Sequence, residues 1–266
     1  MINMKSSLSN VSIIGTGHIA RDLYKKIDRT RNLNLHLVAG RNIHSEGSKE
    51  AANYSKYVSE GGIDSILENI DESKIILDCT SASSHKVHHD ALQNHPCTII
   101  DLTPSGIGIP VIPSINQFEA KNNKNVSLIS CGGQSSIPLL SPICRILKSN
   151  HVVPQYVEIA SSIASRSAGM ATRQNIDNYI NLTTSAVEFF CKTKAKVILN
   201  INPAEPAVTM QTAMSILIND DIVSEENLLS AIEPSIKYIQ NYLKGYQLVV
   251  PPTYIDRNRI FLSVRV

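Results

Sequence analysis

Net charge is nearly absent from this 266-residue chain, because 25 basic and 23 acidic side chains leave a formal +2. So even a balance creates no broad field for nucleic acid or an anionic membrane, and small molecules are the expected partners. Long apolar runs are missing too. No stretch of roughly 18 apolar residues could span a bilayer. The opening MINMKSSLSN lacks the apolar core of a secretory signal, so the cytoplasm is the expected compartment. The five cysteines, Cys79, Cys97, Cys131, Cys144 and Cys191, form no CxxC pair. That argues against a zinc site or a redox dithiol, and free thiols are expected in a reducing compartment. Low-complexity segments and internal repeats are also lacking.

Hydrophobic residues make up 42% of the chain, enough for a sizeable core. The length suits two domains at about 100 to 200 residues each. Val11 to Ile14 is a β-branched run leading into Gly15-Thr16-Gly17-His18-Ile19-Ala20, with helical apolar spacing at Ile19, Leu23 and Ile27. Strand, glycine turn and helix follow one another. Gly15 would permit the tight turn, Gly17 the approach of a pyrophosphate to backbone N–H groups, and Ala20 close packing of helix on strand. A glycine turn without a ligand has the same appearance, and it is the placement between strand and helix that favours a dinucleotide site.

A second strand is expected at Leu35 to Ala39, followed by Gly40-Arg41-Asn42. No carboxylate in that stretch would repel a 2′-phosphate, Arg41 could pair with one, and Asn42 could still bond a hydroxyl. This leans towards NADP over NAD, with Arg41 as an ordinary solvated charge the alternative. Strands at Lys74 to Asp78 and Thr98 to Asp101, flanking a helix near His85 to Gln93, continue the alternation of a parallel sheet. His85 and His89 stand four apart, but no thiol or acid in the neighbouring sequence completes a ligand set. No metal is expected, and the histidines read as belonging to an exposed helix.

Asn125 to Ile129 reads as a strand, Ser130-Cys131-Gly132-Gly133-Gln134 follows it, and a proline-bounded helix is expected at Ile137 to Leu147. Cys131 is thereby assigned to a strand-to-helix junction, with glycines that admit a substrate and backbone N–H groups that favour a thiolate. Cys79 also follows a strand and is its nearest rival. Beyond Ser130 an α+β half is expected, with strands around Val157 to Ala164, Val197 to Asn200 and Arg259 to Val266. Helices are expected at Ile176 to Phe190 and Glu225 to Leu243. The fold class is α/β, a Rossmann-type doubly wound parallel sheet over residues 1–130 with a second α+β substrate and dimerisation domain over 131–266.

The strings GTGHIA (from Gly15), DCTSASSH (from Asp78), DLTPSGIG (from Asp101), SCGGQSSIP (from Ser130), SRSAGMATRQNID (from Ser165) and NPAEPAVTM (from Asn202) resemble the acylating acetaldehyde dehydrogenases that partner a 4-hydroxy-2-oxovalerate aldolase. The resemblance runs in order from about Val11 to Val266. It implies reversible conversion of acetaldehyde, coenzyme A and NAD or NADP to acetyl-CoA, with Cys131 as the acyl-carrying nucleophile. It also implies that Thr16, Gly17, His18 and Ile19 hold the pyrophosphate. The segment Ser167, Ala168, Gly169, Met170, Ala171, Thr172, Arg173, Gln174 and Asn175 would form a loop against the cofactor. By composition this is a hydrogen-bonding loop in which Arg173 could meet a phosphate or carboxylate two-pronged. It reads equally well as the lead-in to a helix. A homodimer and an aldolase partner are implied as well.

Two departures from the family pattern bear on activity. A position after NPAEP that commonly carries an acid falls at Thr212, which cannot act as a carboxylate base. The family also continues past the strand ending near Val266 with a glycine-rich, tyrosine-bearing segment and an asparagine motif. Its loss is expected to expose the nicotinamide side of the cleft. The competing expectations are a catalytically weak dinucleotide-binding homologue or partner subunit, and an enzyme that passes the acyl group from cysteine to phosphate.

Overall fold

The computed structural model describes residues 8–219 and 222–266, and for Met170 and Ala171 the backbone only. Contacts divide the chain into two compact units, one comprising residues 1–110 and 118–128, the other 111–117 and 129–266.

The first unit begins with the expected strand, β1 (Ser9–Ile14), whose last four residues are buried, and then α1 (His18–Asp28). It continues through β2 (Leu33–Ala39), α2 (Glu46–Ala51), β3 (Tyr57–Ser59), α3 (Ile63–Glu68), β4 (Ile75–Asp78), α4 (Ala82–Leu92), β5 (Thr98–Asp101) and β6 (Ile109–Pro110). After α5 (Pro113–Ala120), kinked at Asn116, comes β7 (Asn125–Ser127). The sheet order is β3-β2-β1-β4-β5-β7-β6, with every pairing parallel. Strands of such a sheet are apolar on both sides because each face must be covered. Val11, Ile13 and Leu35 pack in one cluster, and Ile14, Leu37, Ile76 and Ile99 in another. The doubly wound architecture expected from the alternating pattern is present, with the strand order reversing between β1 and β4.

The second unit contains α6 (Cys131–Ser149), β8 (Pro154–Ala164), α7 (Met170–Gln174), α8 (Ile176–Cys191), β9 (Lys194–Asn202), β10 (Gln211–Ile218), α9 (Glu225–Tyr242), β11 (Gln247–Asp256) and β12 (Arg259–Arg265). Its sheet runs β11-β12-β10-β8-β9, antiparallel except for the β8–β9 pair. Val157 and Ile159 of β8, Met214 and Ile216 of β10, and Ile260 and Leu262 of β12 bury one face in a core shared with Leu139, Ile143 and Leu147 of α6. Strict alternation along Gln211–Ile218 marks β10 as a one-face-buried strand. Sequence reading missed this strand and β11. Pro251 and Pro252 make β11 look unlike a strand, and it is tolerated because β11 lies at the sheet edge.

The helix expected at Ile137 to Leu147 instead spans Cys131–Ser149 and carries Pro138 and Pro142 inside it. The prolines do not bound it, so Cys131 is the first residue of the helix and not part of a loop before it.

Candidate active site

Three backbone devices set the position of Cys131. Ile129 takes a left-handed φ of 63° although it is β-branched and buried, a conformation costing on the order of 1–3 kcal/mol. Ser130 then caps α6, its hydroxyl accepting from the Gly133 N–H at 3.0 Å. That hydroxyl also bonds Thr183 of α8 at 2.6 Å, and Thr183 in turn donates to the Tyr179 carbonyl at 2.6 Å. Gly132 has to be glycine, since a Cβ there would stand 2.2 Å from the Tyr179 hydroxyl.

Cys131 is exposed, whereas Cys97, Cys144 and Cys191 are buried and Cys79 is half-buried. The protein around its sulfur pushes the thiol above its ordinary value by desolvation. Working against burial are a hydrogen bond with Tyr179, at 3.8 Å, and the N–H groups of Gly132 and of Cys131 itself. These are the orphan donors of a helix's first turn, where negative charge is favoured. The Gly133 N–H is occupied by the Ser130 hydroxyl. The rival Cys79 is a poor nucleophile, because burial and then the charges of Asp78 and Asp101 drive its thiol far upwards.

Behind Cys131 lies a group of hydroxyls that the sequence did not reveal. Thr212 of β10 is fully buried and pairs across the sheet with Ser161 of β8. Its hydroxyl is 3.2 Å from that of Ser161 and 2.9 Å from that of Ser135. Thr212 thus joins Ser135 of α6 to β8.

The glycine turn of the first unit has the features a dinucleotide needs. Gly15 adopts φ 107°, and a Cβ would come within 2.7 Å of the Cys79 carbonyl. Gly17 begins α1 with open space where its Cβ would be, and His18 and Ile19 are exposed. Ala20 is fully buried, as its assigned packing role requires. The Thr16 carbonyl faces α2, where a Cβ on Gly47 would overlap it.

Arg41 and Asn42 are both exposed. Asn42 shapes its loop, its side-chain oxygen accepting from the His44 N–H at 2.8 Å and its carbonyl from Ser48 at 2.7 Å. Contrary to the expectation of a loop free of acids, Glu60, which follows β3, reaches it and accepts from the Ile43 N–H at 3.3 Å. An acid 17 residues away arrives through β3 pairing beside β2, which local sequence could not show.

Ser167, Ala168 and Gly169 lead into α7, which contains Thr172 and Gln174, and Asn175 joins it to α8. The Met170 and Ala171 side chains are outside the described residues. Arg173 is turned onto its own loop, donating to the Ala168 carbonyl at 3.0 Å and to the Ser165 carbonyl and hydroxyl at 3.1 and 2.9 Å. The two-pronged grip expected for a phosphate is here a loop closure.

The expectation of solvent-facing histidines is also corrected. His85 is fully buried and His88 nearly so. Their Nδ1 atoms lie 2.8 and 2.7 Å from one Asp78 carboxylate oxygen, and Asp101 is 3.5 Å from His85. Asn125 of β7 bonds His89 at 2.8 Å and His85 at 3.3 Å. Burial alone would raise the Asp78 carboxyl, but hydrogen bonds from His85 and His88 outweigh it and hold Asp78 well below the carboxylate range. His85 is raised, the Asp78 hydrogen bond and the two carboxylate charges overcoming burial. Among the described residues no group of three or more His, Cys, Asp or Glu side chains is arranged to hold a metal ion. Among them, too, no helix is long and apolar enough to cross a membrane.

In comparisons with solved structures, two forms of aspartate semialdehyde dehydrogenase II from Vibrio cholerae superpose with TM-scores of 0.63 and 0.64. The first covers 98% of this chain and 92% of that one, and at 12% and 10% identity the likeness speaks for the fold alone. Sequence relatives are nearer. Acetaldehyde dehydrogenases from Pectobacterium atrosepticum and Burkholderia thailandensis are 39% and 38% identical, over 100% and 98% of this chain and 88% and 86% of theirs. One from Geobacillus thermodenitrificans is 35% identical over 96% of this chain and 85% of its own. The model for the prokaryotic acetaldehyde dehydrogenase dimerisation region matches residues 131–266. With the expected family strings in order along one chain, the protein belongs to the acetaldehyde dehydrogenase family and is an oxidoreductase of that type.

Proposed function

We propose that the protein interconverts a short aldehyde, acetaldehyde first among them, and coenzyme A with the corresponding acyl-CoA through a thioester on Cys131. The observation that carries this reading is the exposed thiol of Cys131 on the first turn of α6, backed by N–H donors and Tyr179. In the oxidative direction the thiolate attacks the aldehyde carbon, and the S–C bond forms as the carbonyl becomes an oxyanion. Donors aimed at such charge in a place shielded from water typically supply a large share of the rate. The Cys131 and Gly132 N–H groups are suited to the task. Once hydride has left the tetrahedral carbon and the carbonyl has re-formed as the Cys131 thioester, coenzyme A thiolate attacks it, the bond to the Cys131 sulfur breaks, and acyl-CoA is released with Cys131 again a thiolate.

A nicotinamide dinucleotide would supply the hydride acceptor that this oxidation requires. Gly15, Thr16, Gly17, His18 and Ile19 are the residues to hold it, since Gly17 is open and the first N–H groups of α1 suit a pyrophosphate. Arg41 favours NADP, while Glu60 beside the same loop works against a 2′-phosphate, so both cofactors enter the test. Residues 167–175 are proposed as a cofactor-binding loop, shaped internally by Arg173. The dimerisation match to residues 131–266 supports a homodimer.

The test incubates the protein with acetyl-CoA and looks by intact mass for an acetyl adduct that Cys131→Ser lacks, while following NADH and NADPH consumption. An adduct with cofactor oxidation is expected. Absence of an adduct from any short acyl-CoA would overturn the reading. Cofactor binding without turnover would favour a dinucleotide-binding homologue, and acyl release to phosphate would change the acceptor.

A further inference from the structure

A nucleophilic cysteine needs something to hold its sulfur once the proton has gone, usually a cation or an imidazolium. Cys131 has neither. Among the described residues, the titratable side chain that bonds it is Tyr179 of α8, and the groups next in line from α6, β8 and β10 are the uncharged Ser135, Ser161 and Thr212. All four of these residues are buried.

Their contacts follow one another from the sulfur inwards, and the Gly132 N–H also acts on the Tyr179 hydroxyl. The Cys131 sulfur meets the Tyr179 hydroxyl at 3.8 Å. The Tyr179 and Ser161 hydroxyls stand beside the same point at Gly132, 2.2 and 3.2 Å from where its Cβ would be, and Ser161 eases the strong upward push that burial puts on the Tyr179 hydroxyl. Ser161 meets Thr212 at 3.2 Å, Thr212 meets Ser135 at 2.9 Å, and Ser135 can donate to the Gly132 carbonyl at 3.0 Å. That carbonyl also accepts from Ser136 at 2.7 Å.

Each hydroxyl has one proton and can both donate and accept, so the row has two complete arrangements. With the thiol protonated, Cys131 donates to Tyr179, Tyr179 to Ser161, Ser161 to Thr212, Thr212 to Ser135, and Ser135 to the Gly132 carbonyl. With the thiolate present, every hydroxyl turns about. Ser135 donates to Thr212, Thr212 to Ser161, Ser161 to Tyr179, and Tyr179 to the sulfur. Ser136 still serves the Gly132 carbonyl, so the reversal leaves no acceptor stranded. The row ends on a carbonyl and cannot export a proton. The S–H bond therefore breaks towards the exposed side of Cys131, its proton passing to water while the electron pair stays on sulfur.

We propose that Tyr179 is the donor that holds the Cys131 thiolate, and that Ser161, Thr212 and Ser135 are positioning residues whose hydroxyls reverse direction together when Cys131 ionises. Thr212 then acts through hydrogen-bond direction and needs no carboxylate chemistry. The proposal rests on Cys131 being the nucleophile.

The test is the pH profile of Cys131 alkylation by iodoacetamide on the full chain, read by intact mass, with Cys131→Ser as background. Tyr179→Phe is expected to raise the midpoint by about one pH unit and to slow alkylation at neutral pH about tenfold. Thr212→Val, which keeps shape and removes only the hydroxyl, should move the midpoint the same way with about threefold slowing, and Thr212→Ser should restore it. Ser161→Ala supplies the same reading if Tyr179→Phe does not fold. Variants that lose thermal stability yet alkylate with the wild-type midpoint would overturn the proposal, as would a failure of Thr212→Ser to rescue. The acetyl adduct on the wild-type protein is scored separately. Its absence alongside a shifted midpoint would count against the acyl-transfer reading and leave the hydroxyl row supported.

Discussion

Replacing Asp78 by asparagine should unfasten the sheet end of the first unit. In the native protein one carboxylate oxygen serves both His85 and His88, and the other accepts from the Thr80 N–H at 3.1 Å as well as from its hydroxyl. Asparagine keeps one acceptor and presents an NH2 where the second stood, so of the four bonds to the carboxylate two lose their acceptor and the two that remain are no longer charge-assisted. Hydrogen bonds to charged groups contribute about 1.5–3 kcal/mol each, and breaking a buried pair costs about 3–5 kcal/mol. A net loss of about 2–4 kcal/mol follows for Asp78→Asn. At about 2–4 °C per kcal/mol, the melting temperature should fall by about 5–15 °C.

The effect has a pH signature. His85 is raised in the folded protein, so its contribution is complete below the ordinary histidine value near 6.5 and fades as pH climbs through the raised value. Asp78 is lowered, so its contribution is complete above the ordinary aspartate value near 3.9 and fades only in strong acid. Both are present between about pH 4 and 6.5. Thermal unfolding followed by circular dichroism at pH 5.5 and pH 8 should therefore show the larger penalty at pH 5.5. A shift below about 2 °C at both pH values, or a larger penalty at pH 8, would refute the reasoning.

Three further changes have definite expectations. Ser130→Ala removes the α6 cap and the bond to Thr183, and should cost about 1–2 kcal/mol in a urea melt. Gly15→Ala sets a Cβ 2.7 Å from the Cys79 carbonyl at a φ of 107°. Cofactor KM should rise at least about tenfold while Cys131 alkylation keeps its rate, a split that steady-state kinetics and mass spectrometry read together. Tyr24→Phe deletes a buried hydroxyl that has no hydrogen-bond partner among the described residues, and should raise stability by about 1 kcal/mol in the same urea assay.

Local pattern made much of the first unit legible. β-branched runs, a glycine turn and helical spacing identify β1 and α1 because the parallel sheet buries both faces and leaves little freedom of composition. The placing of Cys131 between a strand and a helix was legible from the glycines that follow it, and the structure sets it, exposed, at the first position of α6. Its partners were not legible. Tyr179 lies 48 residues away on α8, and the Thr212–Ser161 pair depends on the register of two strands. The histidines mislead because attention falls on the four-residue spacing of His85 and His89. His85 and His88, three apart, share the face that meets Asp78 at the end of β4. Glu60 likewise reaches the Arg41 loop only through β3 pairing beside β2.

Ile129 imposes a limit on how this protein can be improved. Its side chain anchors a backbone conformation that glycine would adopt freely, so Ile129→Gly would exchange strain for slack. The residue that delivers Cys131 is held in place by its own discomfort, with the buried isoleucine packing that offsets it inseparable from the aim of the turn. Ile129→Gly would also empty a buried isoleucine site at about 2–5 kcal/mol, more than the strain it relieves. In this one turn a single side chain secures both the packing of the core and the direction in which Cys131 is presented.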